Sequence, residues 1–269
     1  MPKPSLAPKV HLRIGPLANA LRIALASNPA LTNRTTTITT LLITPLLSVI
    51  FLTAIVTAVG ASDALVATYA AILVSFGITV LTGTVEQVTC DRQIGVAHEV
   101  ISHGIWNPTY WIGKSLVPVI LGIAPALITA VAAYLITGAN SGDLLIKTLL
   151  LIPLAALVGA LIGVAAGIGS LGMSNPYLIS NLAGTVLLIT AGVVIPLTLY
   201  PSWLVWIARL LPFTAVVEML RLEATASTGS FWVLLLREIG LGVGWLTVGL
   251  ILARIVVARI RAGQAEQVW

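Results

Sequence analysis

Long uncharged runs separated by short charged or turn-forming clusters organise this chain. Residues 35–62 carry no charge between Arg34 and Asp63, 64–85 none between Asp63 and Glu86, and 115–142 none between Lys114 and Asp143. A helix crossing the hydrocarbon core of a bilayer needs about 20 apolar residues, so each run predicts one span. The uncharged stretch from Lys147 to Arg209 is too long for one span. It predicts two, broken at the polar turn cluster Ser-Leu-Gly-Met-Ser-Asn-Pro, residues 170–176. A last run, 231–257, contains Arg237 and Glu238. The expectation is an all-α, polytopic integral membrane protein with about six transmembrane helices. Ahead of them, residues 14–26 place Ile14, Leu17, Leu21, Ala24 and Leu25 on one helical face, with Asn19 and Arg22 opposite. Pro16 suits a first helical position. This segment predicts an N-terminal interfacial helix, too short and polar to span. Pro45 falls inside the first span, where it can kink it.

Composition agrees. The chain has 269 residues, 58% hydrophobic and 9% charged, with a mean hydropathy of +1.05. Soluble domains carry roughly 25% charged residues, so a soluble enzyme, a disordered chain and a coiled coil are excluded. The net charge of +5 reads as an orientation signal, because Lys and Arg collect on the cytoplasmic side. Lys3, Lys9, Arg13, Arg22 and Arg34 precede the first span, and Arg254, Arg259 and Arg261 end the last. Both termini are therefore expected inside, and the first apolar run is read as a retained span rather than a cleaved signal. Asn-Pro pairs at 28–29, 107–108 and 175–176 all fall in expected cytoplasmic connections, where they turn the chain. The organisation expected is a cytoplasmic tail and interfacial helix at 1–34, a six-span domain at 35–260, and a cytoplasmic tail at 261–269.

Candidate chemistry is sparse. Gly113-Lys114-Ser115 has the ending of a phosphate-binding loop, but residue 108, where the first glycine belongs, is Pro. One cysteine, Cys90, allows no internal disulfide, and His11, His98 and His103 have no metal-binding spacing. No catalytic residue and no metal site are expected, and this chain is not expected to be an enzyme. The three glycines Gly159, Gly163 and Gly167 form two successive Gly-x-x-x-Gly units, which favour close helix packing within the chain over a dimer seam. Threonines 35–37, 39, 40 and 44 could line a polar entrance, although such hydroxyls more often bond back to their own helix.

Two charged regions stand out. The connection 86–114 holds Glu86, Asp91, Arg92, Glu99 and Lys114. It reads as a helical extension, a glycine, and an amphipathic helix with Val96, Val100 and Ile101 on one side and His98, Glu99 and Ser102 elsewhere. Tyr110 and Trp111 then mark the membrane boundary. Such a helix can dock into another protein; a plain solvated loop fits the pattern equally well. The second region, 200–224, is expected to form short re-entrant helices in the outer leaflet, anchored by Tyr200, Trp203 and Trp206. Its charges, Glu218, Arg221 and Glu223, with Arg237 and Glu238 nearby, cost about 2.5–3.5 kcal/mol each at the bilayer centre if left unpaired. Pairing Glu218 with Arg237 would lower that cost, whereas the adjacent Arg237 and Glu238 do not face one another. The group is either an outer gate or an ion-pair cluster.

Asp91-Arg92-x-x-Gly95, then Glu99-Val100-Ile101, a turn and Gly113-Lys114, resembles the first cytoplasmic loop of ABC-2 type exporter permeases. Tyr200-Pro201-Ser202-Trp203-Leu204, then Leu211-Pro212-Phe213-Thr214 and Arg221, is similar to the segment before the last span in the daunorubicin-resistance-type branch. Val96 replaces the usual Thr, and Gly104 stands where a Pro is common. The resemblance covers nearly the whole chain. It implies a permease subunit of an ATP-driven exporter in the cytoplasmic membrane of a prokaryote. Such a subunit pairs with a second permease chain and moves an amphipathic drug, lipid or glycolipid outward, as in multidrug resistance. It implies a separate ABC ATPase, which binds ATP and Mg, while this chain binds no cofactor. The ATPase-coupling residues it implies are Asp91, Arg92, Gly95, His98 and Glu99 as the polar and turning positions, with Val100 and Ile101 as apolar anchors. The rivals are an ion-coupled secondary transporter, against which the uncharged first four spans count, and a membrane-embedded lipid-modifying enzyme.

Overall fold

A computed structural model describes residues 33–58, 64–96, 107–137, 141–193, 195–222 and 228–261, with isolated positions between 18 and 31. Among the described residues the chain is helical, without a strand. The helices are α1 (Arg34–Ile38), α2 (Thr44–Ala58), α3 (Ala64–Gln93), α4 (Pro108–Thr137) and α5 (Gly142–Ser170), followed by α6 (Leu178–Thr190), α7 (Ser202–Leu210), α8 (Thr214–Arg221) and α9 (Thr228–Arg261). Residues 18, 21, 22 and 25 are helical; the rest of the expected interfacial helix, and the tail from 262, lie outside the described residues.

Helix α3 is the core. It is buried over most of its surface, from Tyr69 and Leu73 through Val80 and Leu81 to Val88, while one stripe, Ser75, Thr79, Thr82 and Glu86, stays half-buried or exposed. Its closest neighbour is α5, and the reason is the glycine ridge. A Cβ on Gly159 would lie 2.5 Å from the Gly77 carbonyl oxygen, and one on Gly163 would lie 2.8 Å from Thr84 Cβ. Without side chains the two backbones touch, and each atom pair at van der Waals distance adds its small attraction. The ridge thus packs within the chain. On its other side α5 meets α9, where a Cβ on Gly249 would lie 2.6 Å from Ala165 Cα. Helix α4 closes on α3 by the same device: Gly83 faces Pro118, and Gly122 faces Phe76. The outer surface is apolar instead, with Leu150 73% and Trp206 72% exposed.

Among the described residues, fewer helices qualify as spans than the six expected. Helices α3, α4, α5 and α9 are long and apolar enough to cross a membrane, and α7 with α8 makes a fifth if the bent pair is one span. The first expected span is not one regular helix. A π-helical turn, Thr39–Ile43, separates α1 from α2, with the Thr44 N–H donating to Thr39 O. Pro45 follows at once; it removes an N–H and crowds the preceding turn, which widening relieves. The fifth expected span, α6, has 13 residues, about 20 Å of helix against a core of about 30 Å. The break expected at 170–176 is present, since α5 ends at Ser170 and α6 begins at Leu178.

Gly159→Val would drive a branched side chain into the Gly77 carbonyl. It should destabilise the protein by about 1–3 kcal/mol, read as a lower thermal midpoint in detergent. Gly240→Ala, where a Cβ meets nothing within 4 Å, should cause no loss. Equal midpoints for the two variants would refute the ridge assignment.

Candidate functional site

The loop of interest rises from a fixed base. Helix α3 runs past Glu86 to Gln93 and stops at Gly95, whose φ of +82° is open to glycine at little cost. Helix α4 starts at Pro108, with the Tyr110 N–H donating to Asn107 Oδ1 at 3.3 Å, so the Asn-Pro pair is a helix start. The connection proper is therefore 94–107.

Beneath it, buried Lys114 Nζ donates to buried Asp91 Oδ1 at 2.8 Å, and the Tyr110 hydroxyl donates to Asp91 Oδ2 at 2.8 Å. The Lys114 ammonium lies 5.8 Å from the centre of the Tyr110 ring. Arg92 reaches across to α5 and donates to Ser170 O at 3.2 Å and Met173 O at 2.6 Å. These are carbonyls at and beyond the end of α5, where intrahelical donors run out. Trp111 is buried inside the bundle rather than exposed; it packs with Val88 and Ile168, near Gly167. Asp91, Lys114, Tyr110 and Arg92 thus tie α3, α4 and α5 together at one end.

Of the expected coupling residues, Asp91 and Arg92 turn their charges inward onto these partners, and Gly95 ends α3. His98, Glu99, Val100 and Ile101 lie outside the described residues. Sequence reasoning missed Lys114 and Tyr110 as partners of Asp91. The signal available was that Lys114 is the one charge in α4, and a cation on an apolar helix needs an acid within reach.

The second region is an elbow. Helices α7 and α8 meet at 106°, with Phe213 at φ +70°, a left-handed conformation uncommon outside glycine. Glu238, on α9 and fully buried, holds this turn: its Oε1 accepts the Phe213 N–H at 2.5 Å and its Oε2 the Ala215 N–H at 3.1 Å. A carboxylate at a helix start meets unsatisfied donors and the positive end of the dipole. Trp245 Nε1 donates to Leu210 O at 3.1 Å, a second tie from α9. The Phe213 ring lies over Gly77, where any Cβ would collide with it. Gly77 lies 13 residues into α3, about 20 Å from its start, so the elbow tip reaches roughly halfway along that helix.

The expected pair forms, with Arg237 donating to Glu218 at 2.7 Å. Arg221 donates to Gly192 O at 2.9 Å, and Lys147 donates to Leu222 O, just past α8, at 2.9 Å. Trp203 stands exposed on α7, and Glu223 lies outside the described residues. Two of the threonine hydroxyls at the first helix bond back to the chain: Thr37 to Asn33 O and Thr44 to Thr39 O, both at 2.9 Å.

Removing one member of a buried ion pair strands the other, so Asp91→Leu should cost about 3–5 kcal/mol. The double variant Asp91→Leu with Lys114→Met should recover much of that in the same detergent melt; a double variant worse than either single one would contradict the pairing. Glu238→Ala leaves two buried N–H groups unpaired, at about 1–3 kcal/mol each, and should expose the 211–213 turn to protease. Glu238→Gln, which keeps an acceptor, should lose less.

Beyond these internal contacts, a family model for the ABC-2 type transporter matches residues 18–222, from ahead of α1 to just past the end of α8. No curated protein matches the chain. With a match over well more than half its length, this multi-pass helical chain belongs to the ABC-2 type transporter family, whose members are the membrane permease components of ABC exporters rather than ATPases.

Proposed function

We propose that this chain is the permease subunit of an ATP-driven exporter of the daunorubicin-resistance type, working with a separate ABC ATPase and a second permease chain. The observation that carries the reading is the base under the connection 94–107. A loop that receives force must stand on something that does not yield. Here both of its flanking helix ends are locked by the buried Asp91–Lys114 pair and the Tyr110 hydroxyl, and Arg92 extends the lock to α5. Closure of ATPases beneath the loop would then move α3, α4 and α5 as one body.

In this reading Glu99 and His98 are polar contacts to the ATPase, and Val100 and Ile101 are its apolar anchors. Six passes place both termini in the cytoplasm of a prokaryotic cell, with α1–α2 as the first pass and α6 with the elbow completing the fifth. The elbow formed by α7 and α8 faces outward as a gate, carried on Glu238 and the Glu218–Arg237 pair. The cargo is an amphipathic drug, lipid or glycolipid, and ATP and Mg bind to the partner.

Affinity purification from the native membrane tests the assembly: an ABC ATPase should co-purify, and a second permease, if present, identifies the pair. An ATPase-free preparation that transports on an ion gradient would overturn the proposal. Glu99→Lys combined with Val100→Asp should abolish export and ATPase capture while leaving the thermal midpoint unchanged. Normal export and capture by that variant would remove the loop's assigned role.

A further inference from the structure

The elbow meets two unlike surroundings. Leu211 and Pro212 close one end of an apolar cavity of about 400 Å³ between α5, α6 and α9, which Met173 and Leu178 bound at the other end. Only apolar residues line it. Helix α7, by contrast, is seated on buried Ala208 and leaves Trp203, Trp206, Arg209 and Leu210 exposed. Trp206 follows Trp203 by three residues and precedes Arg209 by three, so the two rings and the guanidinium follow one another along one face of the helix.

That face ends deep in the bundle. Leu210 O accepts the indole N–H of Trp245, close to the middle of α9, and the Phe213 ring lies over Gly77, close to the middle of α3. Arg209, next to Leu210, therefore sets a cation near mid-height of two long apolar helices. Among the described residues it has no hydrogen bond and no ion pair. The end of α7 does not need it either. Ala208 O accepts the Thr214 hydroxyl at 2.6 Å and the Leu211 N–H at 3.1 Å, and Leu210 O is held by Trp245. The acids of the elbow region are spent elsewhere, Glu238 on the Phe213 and Ala215 N–H groups and Glu218 on Arg237.

An unpaired cation in hydrocarbon is costly, and charges at such depth face a polar route or a charged partner. We propose that α7 lines the export route and that Arg209 is its anion-binding residue: the cargo is an amphipathic anion whose carboxylate or phosphate meets the guanidinium while its apolar part lies against Trp206 and Trp203. The planar fork of guanidinium donors matches either anion, and the indole faces supply apolar area. A second copy of this chain would bring no unspent acid from its own elbow region, so the charge favours a ligand over a protein cover. This inference rests on the transport reading and adds to it the charge of the cargo.

The full chain in a nonionic detergent is titrated with dansyl-undecanoic acid, read by energy transfer from tryptophan to dansyl, with the methyl ester of the same probe as the uncharged control. The acid should bind saturably and the ester roughly tenfold more weakly, the loss of one charge-assisted hydrogen bond. Arg209→Gln should lower the acid to the affinity of the ester and leave the ester unchanged. Arg209→Lys, which keeps the charge, should retain most of the difference, and Trp206→Ala should weaken both probes. The thermal midpoint of Arg209→Gln should equal that of the wild type, because the arginine has no contact in the chain to lose. Equal affinities of acid and ester for the wild type, or an unchanged acid affinity in Arg209→Gln, would overturn the proposal. So would a lowered midpoint in Arg209→Gln, which would make the arginine structural. Displacement of the acid by phosphatidylglycerol as readily as by unlabelled undecanoic acid would also overturn it, as a seat for surrounding lipid. Failure of ATPase capture alone would sink the transport reading and leave the binding result standing.

Discussion

Gly77 is the point on which the packing converges. Its carbonyl is what a side chain at Gly159 would strike, and its missing Cβ is what admits the Phe213 ring. One glycine therefore sets the approach of α5 and the depth of the elbow. In water, apolar area drives such contacts; in lipid, the tails are as apolar as the helices, and close packing has to supply the attraction. That explains why small residues, and not large apolar ones, mark the α3–α5 and α5–α9 seams, while Leu150, Trp206 and Leu236 face outward.

With the seams fixed, four of the described buried or half-buried charges serve helix ends. Arg92 meets carbonyls beyond α5, Lys147 a carbonyl beyond α8, and Arg221 the carbonyl of Gly192 beyond α6, while Glu238 meets N–H groups at the start of α8. Cations sit at carbonyl ends and the anion at an amide end, the sense the helix dipole favours. The alternative in lipid is an unsatisfied backbone group, which costs several kcal/mol. A broken segment such as the elbow is tolerated for this reason alone: its freed backbone groups are answered by α9 and α5. Asp91 with Lys114 and Glu218 with Arg237 are instead spent on each other, and the first of these pairs holds the ends of α3 and α4 together.

The legible part of the sequence was what charge and periodicity encode. The scarcity of charge gave the class, the cluster at 170–176 gave the α5–α6 break, and opposite charges in separate segments gave Glu218 with Arg237. The glycine spacing identified a packing face, and the likeness to ABC-2 permeases rested on the order of motifs around Gly95 and Phe213. Other features left no trace in composition. Glu238 binds backbone N–H groups, which every residue but proline possesses, so no sequence pattern announces its partners. Asp91 and Lys114 stand on either side of a loop, and their contact depends on where two helices end. Trp111 read as an interfacial anchor because aromatic residues near span ends usually are; it is instead buried against Val88 and Ile168. The π-helical turn before Pro45 was legible only as a kink, since a proline specifies the loss of a donor but not how the helix relieves it.

The placement of Arg92 joins features that would otherwise be separate. It belongs to α3 at the foot of the connection, yet its hydrogen bonds end on Ser170 and Met173, in the turn that bounds the apolar cavity. The far end of that cavity is Leu211 and Pro212, the inner edge of the elbow. Helix α3 touches both ends as well, through Arg92 below and Gly77 under Phe213 above. A displacement of α3 along its axis therefore cannot leave the cavity unchanged: it pulls on the turn through a charge-assisted bond and shifts the elbow through the Phe213 ring seated on Gly77. Packed interiors repack in steps rather than deforming smoothly. Force applied at the loop would accordingly reach the elbow through the body of α3.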